Sequence, residues 1–220
     1  MNIHTIILAA GKGTRMNTNL PKVMQPLGGK TLISHVINTA QISSENITVV
    51  VGHKKDLLKE HIAAIDPKIE TADQDEQLGT AHAVKTAAHL IKDDEKILIL
   101  YGDVPLISAA TIDALISAQQ ECTLLSMHLS DPTGYGRIMA DGQNNALKIV
   151  EQKDASAQEA LIQDVFTGIL MINGDLLKKS LEEINNQNAA NEFYLTDLVE
   201  ILSKKGVKIN CIQANPSEVV

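Results

Sequence analysis

Aromatic side chains are scarce in this chain of 220 residues, which has two phenylalanines, three tyrosines and no tryptophan. Hydrophobic residues nevertheless make up 44% of the sequence, so its core must be built from aliphatic side chains. A chain of this length can bury one such core, and aliphatic residues favour the Ile-, Leu- and Val-rich strands of a parallel sheet. The composition therefore predicts an α/β protein.

Basic residues are also in the minority, because 19 lysines and arginines face 27 aspartates and glutamates, for a net charge of −8. Proteins that bind nucleic acid or anionic membranes gain affinity from a basic surface. The charge balance therefore argues against both kinds of partner. An anionic ligand must instead be held by a local group of cations.

Cysteines are few, and long apolar runs are absent from the sequence. The two cysteines, Cys122 and Cys211, lie far apart in apolar segments, which favours buried reduced thiols over a disulfide or a metal site. No apolar run approaches the ~18 residues that a membrane-spanning helix needs, and the first residues lack a signal-peptide pattern. The sequence therefore predicts a cytoplasmic protein.

Short apolar runs alternate with stretches of helical spacing in the first part of the chain. We predict strands at residues 5–10, 47–52, 96–101 and 123–128, and helices at residues 31–40, 55–64, 80–91 and 109–120. This alternation predicts a Rossmann-like, mostly parallel sheet with helices on both faces. In such sheets ligands bind beyond the carboxyl ends of the strands.

The pattern changes in the second part of the chain. We predict strands at residues 135–140, 146–151, 165–172 and 207–212, and helices near residues 154–160, 174–184 and 196–204. These elements predict a small antiparallel extension or lid over the end of the sheet. Because no repeat or low-complexity linker divides the sequence, we expect a single domain over residues 1–220.

The segment LAAGKGTRM, residues 8–16, begins in the last residues of the first predicted strand and continues into a glycine-rich turn. It departs from the P-loop because Lys12 lies inside the loop, and from the dinucleotide fingerprint because Met16 takes the place of the third glycine. Its small residues still allow a ligand to lie against backbone amides, and Lys12, Arg15 and Lys22 bring three positive charges. We therefore predict a phosphate-binding loop of another type.

Two further segments carry candidate site residues. YGDVPL places Asp103 at the end of a predicted strand, where a carboxylate serves equally well as a Mg²⁺ ligand or as a turn or helix-capping residue. In EQLGTAHA, Gly79 and Thr80 begin a helix whose first turn suits a base or ribose, or is simply a helix start. Taken one by one, GYGR, VEQKDA and NEFYLTD are equally ambiguous.

In this order, LAAGKGTRM, LPKVM, QLGTAHA, YGDVPL, GYGRI, VEQKDA and NEFYLTD resemble the sugar-1-phosphate nucleotidyltransferases. The resemblance covers nearly the whole chain. It is greatest to the uridyltransferase domain of the bacterial bifunctional N-acetylglucosamine-1-phosphate uridyltransferase / glucosamine-1-phosphate acetyltransferase family. It implies a nucleotide-diphospho-sugar transferase fold. It also implies a Mg²⁺-dependent reaction of UTP with N-acetylglucosamine 1-phosphate, yielding pyrophosphate and UDP-N-acetylglucosamine, a precursor of peptidoglycan and lipopolysaccharide.

The resemblance also implies roles for individual residues. Catalytic roles fall to Arg15, Lys22 and Asp103, the two cations stabilising the departing pyrophosphate and Asp103 holding Mg²⁺. The nucleotide would be bound by Leu8, Ala9, Ala10, Gly11, Gly13, Gln74, Gly79 and Thr80. The sugar would be bound by Tyr101, Gly102, Gly136 and Glu151.

Two departures from the family pattern leave alternatives open. Phe166 stands where the family has an asparagine that contacts the sugar. The family's second Mg²⁺ ligand and its left-handed β-helix acetyltransferase domain are absent from residues 1–220, so we expect a truncated or unusual short form without acetyl transfer. Another base or sugar, a non-catalytic nucleotide-sugar-binding protein, and a homo-oligomer all remain open.

Overall fold

The structure is a computed structural model that describes residues 2–13 and 20–219. Its strands are β1 Ile3–Ala9, β2 Pro26–Leu27, β3 Lys30–Thr31, β4 Asn46–Val51, β5 Glu70–Asp73, β6 Lys96–Tyr101, β7 Cys122–His128, β8 Gly136–Ala140, β9 Ala146–Val150, β10 Asp164–Asn173 and β11 Ile209–Gln213. Its helices are α1 Leu32–Ser43, α2 Lys55–Ile65, α3 Thr80–Thr86, α4 Ala109–Ser117, α5 Gly174–Leu181, α6 Asp197–Lys204 and α7 Pro216–Val219. Short 3-10 turns lie at Lys22–Met24, Ala88–Leu90 and Glu159–Leu161.

Within the described residues, nine strands form one sheet whose main order is β11-β7-β10-β6-β1-β4-β5, with β8 beside β10 and β9 beside β8. The four strands from β6 to β5 are parallel, and every residue of β1 is buried. Burial on both faces explains why these strands are unbroken apolar runs. The chain runs from β1 to β4 and β5 on one side and then returns to β6 on the other, which makes the β1–β6 boundary the topological switch point.

The antiparallel part of the sheet is organised around β10, which pairs antiparallel with both β6 and β7. Its register shifts between Phe166 and Leu170, and before this shift it pairs with β8. The prediction of a mostly parallel sheet with a small antiparallel part is confirmed. The antiparallel part is more than an end extension, however, because the ten residues of β10 are long enough to serve both β8 and the middle of the main sheet.

Helices cover both faces of the sheet. Along β1, Ile6 and Leu8 contribute to the core beneath α3, α5 and α6, whereas Ile7 and Ala9 contribute to the core beneath α1, α2 and α4. This alternation follows from the two-residue period of a strand. Two of the helices begin at hydroxyl caps: the side chains of Thr31 and Ser108 each accept a backbone N–H bond of 3.2 Å at the start of α1 and α4.

The short strands β2 and β3, the 3-10 turn Lys22–Met24 and the helix α7 were not predicted, and three further elements differ from the sequence-based expectations. The strand β5 was not predicted because ETAD is short and polar, as suits an edge strand that pairs only with β4. The helix expected near residues 154–160 is only the 3-10 turn Glu159–Leu161, where the Glu159 carboxylate accepts bonds from the N–H and hydroxyl of Ser156 and so ties the turn together. The helix expected at residues 80–91 is divided, since α3 ends at Thr86 and a 3-10 turn follows.

In the residues that the structure describes, no helix has the length and apolar character needed to cross a membrane.

Candidate active site

A cleft of about 360 Å³ opens beyond the carboxyl ends of β1, β5 and β6, next to the first turn of α3. This is the edge of the sheet at which open α/β folds bind ligands, and the volume is typical of a small-molecule site. The cleft is lined by Leu8, Ala9, Ala10, Gly11, Gly13, Lys22, Val23, Gln74, Gln77, Gly79, Thr80, Ala83, Tyr101, Asp103 and Glu192. It therefore brings together segments that are widely separated in the sequence.

Backbone hydrogen bonds from two neighbouring segments hold the end of β1 and the loop that follows it. The N–H of Gly102 donates to the carbonyl of Leu8 at 2.9 Å, and the N–H of His53 donates to the carbonyl of Ala10 at 3.2 Å. Gly13 has φ +58°, and a Cβ there would lie 2.8 Å from the Cβ of Lys22. Glycine is thus required at position 13 for the loop to approach Lys22 so closely.

The phosphate-binding role predicted for Arg15 falls outside the described residues and stays a prediction. Lys22 and Asp103, the other two predicted catalytic residues, lie in direct contact. Their Nζ and Oδ2 atoms are 2.5 Å apart, and the side chains are 45% and 25% exposed. An ion pair this exposed to solvent is worth only about 0–1 kcal/mol, so a ligand can readily exchange either partner.

No group of three or more histidine, cysteine, aspartate or glutamate side chains able to hold a metal occurs in residues 2–13 and 20–219. Asp103 and Glu192 are the carboxylates that line the described part of the cleft, and Asp103 is the one beside Lys22. That arrangement still suits Mg²⁺, which binds through one or two carboxylates together with substrate phosphates and water. A metal that needs a complete set of protein ligands does not fit it.

Gln74 follows β5 and is 3% exposed in the wall of the cleft. Its Nε2 donates to the carbonyl of Gly79 at 3.0 Å and lies 3.0 Å from Nδ1 of His82. Gln77 supports the same segment by donating from its Nε2 to the carbonyl of Gln74 at 3.0 Å. The carboxamide of Gln74 is thus held in place before any ligand arrives.

The first turn of α3 is joined to the loop at residues 191–195. The N–H of Phe193 donates to the carbonyl of Leu78 at 2.8 Å, and the carbonyl of Phe193 accepts from the N–H of Ala81 at 2.9 Å. The N–H of Leu195 donates to the hydroxyl of Thr80, 115 residues away in sequence, at 2.9 Å. These bonds explain why EQLGTAHA and NEFYLTD belong to one site.

The predicted sugar-binding residues extend from the cleft toward β8 and β9. Tyr101 lines the cleft, whereas Gly102, Gly136 and Glu151 are not among its lining residues. Burial raises the pKa of the Tyr101 hydroxyl, and the nearby carboxylates of Glu151 and Asp103 raise it further. A Cβ on Gly136 would lie 3.6 Å from Oε1 of Glu151, so these two residues are neighbours.

Carboxyl groups are concentrated beside this wall. Glu151 accepts a 2.9 Å bond from the Thr196 hydroxyl, and burial raises the pKa of Glu151 although that bond opposes the shift. Burial, followed by the charges of Glu151, Glu200 and Asp154, raises the pKa of Asp197 to about 6. Additional negative charge is therefore unfavourable beside Glu151 and Asp197, whereas the ammonium of Lys22 favours it at the other end of the cleft.

Phe166, where the resemblance predicts an asparagine, is 6% exposed. It lies on β10 opposite Gly136 of β8 and Ser126 of β7, and it belongs to the core that also contains Ile149. The ring thus contributes apolar surface beside the region predicted to bind the sugar.

Four lining residues were not assigned from the sequence, namely Val23, Gln77, Ala83 and Glu192. All four fall within segments that the sequence had already marked: LPKVM, EQLGTAHA and NEFYLTD. The sequence does not reveal which side chains of these segments face the cleft, because that depends on how the segments pack against one another.

The fold and the cleft together define an α/β protein with a cleft of ligand size at the sheet's switch point. Residues 5–151 match the model of the MobA-like NTP transferase domain, and the chain belongs to this family. It is 43% identical over 223 residues to Bifunctional protein GlmU of Idiomarina loihiensis, an alignment that covers 100% of this chain and 48% of that protein. The chain therefore spans about half the length of this curated relative.

Two solved structures are similar in fold. A UDP-glucose pyrophosphorylase complexed with UDP-glucose matches with a TM-score of 0.76 and 20% identity, covering 97% of this chain and 90% of the other. A structure assigned as a glucose-1-phosphate thymidylyltransferase from Bacillus anthracis, in complex with sucrose, matches with a TM-score of 0.73 and 17% identity, covering 97% and 87%. At these identities the likeness shows the fold alone.

Proposed function

We propose that this chain transfers the uridylyl group of UTP to N-acetylglucosamine 1-phosphate, giving UDP-N-acetylglucosamine and pyrophosphate. The observation that carries the proposal is the cleft itself. It is lined by the loop after β1, by Gln74 and the first turn of α3, and by the Lys22–Asp103 pair. The 43% identity to Bifunctional protein GlmU of Idiomarina loihiensis supports the same assignment.

In this proposal the nucleoside lies between the loop after β1 and α3. Leu8, Ala9, Ala10 and Gly11 present small side chains and backbone to the cleft, which lets a flat base and a ribose approach closely. Gly79 and Thr80 form the opposite side of the cleft. The Nε2 of Gln74 already donates to Gly79, so its amide oxygen would be the atom that accepts a bond from the nucleoside. This part of the site binds and orients UTP. The orientation accelerates the reaction because the reacting groups are already in position.

The triphosphate would extend toward Lys22 and Asp103. Asp103 is the residue that would hold Mg²⁺, and the chemistry that the metal would supply there is neutralisation and polarisation of the phosphates. The phosphate oxygen of the sugar attacks the α-phosphorus in line, pyrophosphate leaves opposite to it, and no covalent enzyme intermediate is needed. The ammonium of Lys22 stabilises the charge that develops on the departing pyrophosphate, and Arg15 has the same proposed role.

The sugar would lie near Tyr101, with Gly102, Gly136 and Glu151 framing it. Glu151 already accepts a bond from Thr196, and this fixes its carboxylate for contact with a sugar hydroxyl or amide. The substrates in this proposal are small molecules, and neither nucleic acid nor a membrane takes part. A cytoplasmic location and self-association stay predictions.

The test is pyrophosphate release from the chain incubated with Mg²⁺, N-acetylglucosamine 1-phosphate and, separately, UTP, dTTP, CTP, GTP or ATP. We expect release to be fastest with UTP and to stop when EDTA removes the metal. Equal or faster release with another nucleotide would contradict the proposal. Calorimetric binding of UDP-N-acetylglucosamine without any release would instead favour a nucleotide-sugar-binding protein that lacks turnover.

A second candidate is the same transfer to a different sugar 1-phosphate, and Phe166 is the observation that favours it. A buried aromatic ring beside Gly136 cannot make the hydrogen bond that the family's asparagine is expected to make. The same assay with glucose 1-phosphate, galactose 1-phosphate and glucosamine 1-phosphate separates the candidates. A kcat/KM for one of these above that for N-acetylglucosamine 1-phosphate would establish the second candidate.

A further inference from the structure

Arg137, the last residue of the GYGR motif, is a buried cation that does not line the cleft. It lies on β8 and is 2% exposed. Its guanidinium donates to three neutral acceptors: the carbonyl of Tyr135, Oε1 of Gln152 at 2.7 Å and the carbonyl of Ala160 at 3.4 Å. Its Nε has no hydrogen-bond partner in the part of the chain that the structure describes. Because burying a cation among neutral partners costs stability, an apolar side chain would serve the fold alone better.

Two of the three acceptors are adjacent in sequence to residues that the proposed function assigns to the sugar. Tyr135 directly precedes Gly136, and Gln152 directly follows Glu151. Oε1 of Gln152 also accepts a bond of 3.0 Å from the N–H of Gly134, so the carboxamide joins the same two segments a second time. The buried guanidinium and this carboxamide therefore link the start of β8 to the loop after β9.

The side chain of Arg137 and the proposed sugar position lie on opposite faces of the sheet. Successive residues of a strand point to opposite faces, so Arg137 and Gly136 face opposite ways. A Cβ on Gly136 would lie 2.8 Å from Cγ2 of Ile149 and 3.6 Å from Oε1 of Glu151, which marks the face of the sugar. Arg137 instead pairs with Val165 of β10, which belongs to the core on the other face. Arg137 can therefore influence the sugar only through the segments that it holds.

We infer that Arg137 is a positioning residue that holds Gly136 and Glu151 at the separation the sugar requires. The inference deepens the proposed function and rests on it for the sugar and for the roles of these two residues. The pairing of β8 with β9 begins at Arg137 and Val150, so Gly136 and Glu151 lie just outside it. The planar guanidinium, whose donors are fixed relative to one another, supplies the connection that the strand pairing lacks there.

The experiment measures the binding of UDP-N-acetylglucosamine and of UDP by calorimetry with Mg²⁺ present, because the ratio of the two affinities isolates the contribution of the sugar. Arg137→Met removes the donors and keeps a long apolar side chain. Gln152→Leu removes their acceptor and leaves the arginine in place, and a double variant combines both changes. Thr48→Val is the control, since it removes a buried bond of 2.8 Å to His4 but does not line the cleft. Thermal unfolding shows whether each variant folds.

In Arg137→Met we expect the affinity for UDP-N-acetylglucosamine, relative to that for UDP, to fall about tenfold. Gln152→Leu should lower the ratio at least as much, and the double variant should lose no more than about twofold beyond Gln152→Leu, because the two residues act through one contact. The affinity for UDP should stay within about twofold of wild type in every variant, as should both affinities in Thr48→Val. A purely structural role would weaken both ligands alike and would leave their ratio unchanged.

Two results would overturn the inference: a folded Gln152→Leu variant that keeps the wild-type ratio, or a double variant whose loss is the product of the two single losses. If Arg137→Met does not fold, Gln152→Leu alone decides. The proposed function is read separately, from pyrophosphate release with N-acetylglucosamine 1-phosphate. If release occurs and the variants keep the wild-type ratio, the proposed function stands and the role of Arg137 fails. If the ratio falls in the variants but the wild-type chain releases no pyrophosphate, the proposed function fails and the role of Arg137 stands.

Discussion

Replacing Gly79 with alanine should separate α3 from the loop at residues 191–195. Gly79 has φ +122°, and a Cβ there would lie 2.4 Å from the carbonyl oxygen of Phe193, 2.7 Å from its nitrogen and 2.9 Å from its carbonyl carbon. All three atoms belong to the backbone, so no side-chain rotation can relieve the contact. The loop must move away from the helix instead.

The cost follows from what this movement breaks. Two backbone bonds join the segments, from Phe193 to Leu78 at 2.8 Å and from Ala81 to Phe193 at 2.9 Å, and each is worth about 1 kcal/mol. A side chain forced to adopt this positive φ adds about 1–3 kcal/mol. We therefore expect Gly79→Ala to lower the free energy of unfolding by about 3–5 kcal/mol, a large part of the roughly 5–15 kcal/mol typical of a protein.

The movement also displaces the carbonyl of Gly79, which anchors Gln74, so binding of UTP should weaken about tenfold or more. Urea denaturation measures the stability and calorimetry measures the affinity. Gly206→Ala is the matched control, because Gly206 has φ +79° but a Cβ there would meet nothing within 4 Å. It should cost only about 1 kcal/mol from backbone strain. Equal destabilisation in the two variants, with unchanged UTP affinity, would refute the reasoning.

Three further predictions concern Lys22 in the cleft and two residues beside the region predicted to bind the sugar. Lys22→Ala should lower kcat for pyrophosphate formation about 100-fold, because one charge that stabilises the leaving group is lost. Asp197→Asn should stabilise the protein by about 1 kcal/mol at pH 8, after allowance for partial exposure, and not at pH 4, as measured by urea denaturation. Phe166→Asn should lower KM for N-acetylglucosamine 1-phosphate about tenfold, while destabilising the fold by about 3 kcal/mol through loss of buried apolar surface.

The sign for Asp197 follows from linkage. Burial raises its pKa from 3.8 to about 6, so between these values the folded state holds more protons than the unfolded state. Stability therefore falls as the pH rises through this window, and asparagine removes the loss. An equal gain at pH 4 and pH 8 would contradict this. For Lys22, the control is Lys30→Ala, an exposed lysine on β3, and unchanged turnover in both variants would contradict the catalytic role.

Much of the fold could be predicted from the sequence because its signals are local. The apolar runs of β1, β4 and β6 and the spacing of α1, α2 and α4 predicted a mostly parallel sheet covered on both faces. The strand β5 escaped prediction because ETAD is short and polar and is a strand only through pairing with β4. The place of β10 inside the sheet also depends on non-local pairing, which no local pattern encodes.

The sequence by itself marked the segments of the site and the chemistry of their residues, including the glycines, Lys22, Gln74 and Asp103. Only the tertiary structure decided how they combine, because contacts such as Leu195 to Thr80 join residues 115 positions apart and depend on the packing of whole elements. The residues of LAAGKGTRM predict a phosphate loop without reference to any other part of the chain. That the amide nitrogen of Gln74 donates to the carbonyl of Gly79 follows only from the positions of these residues in space.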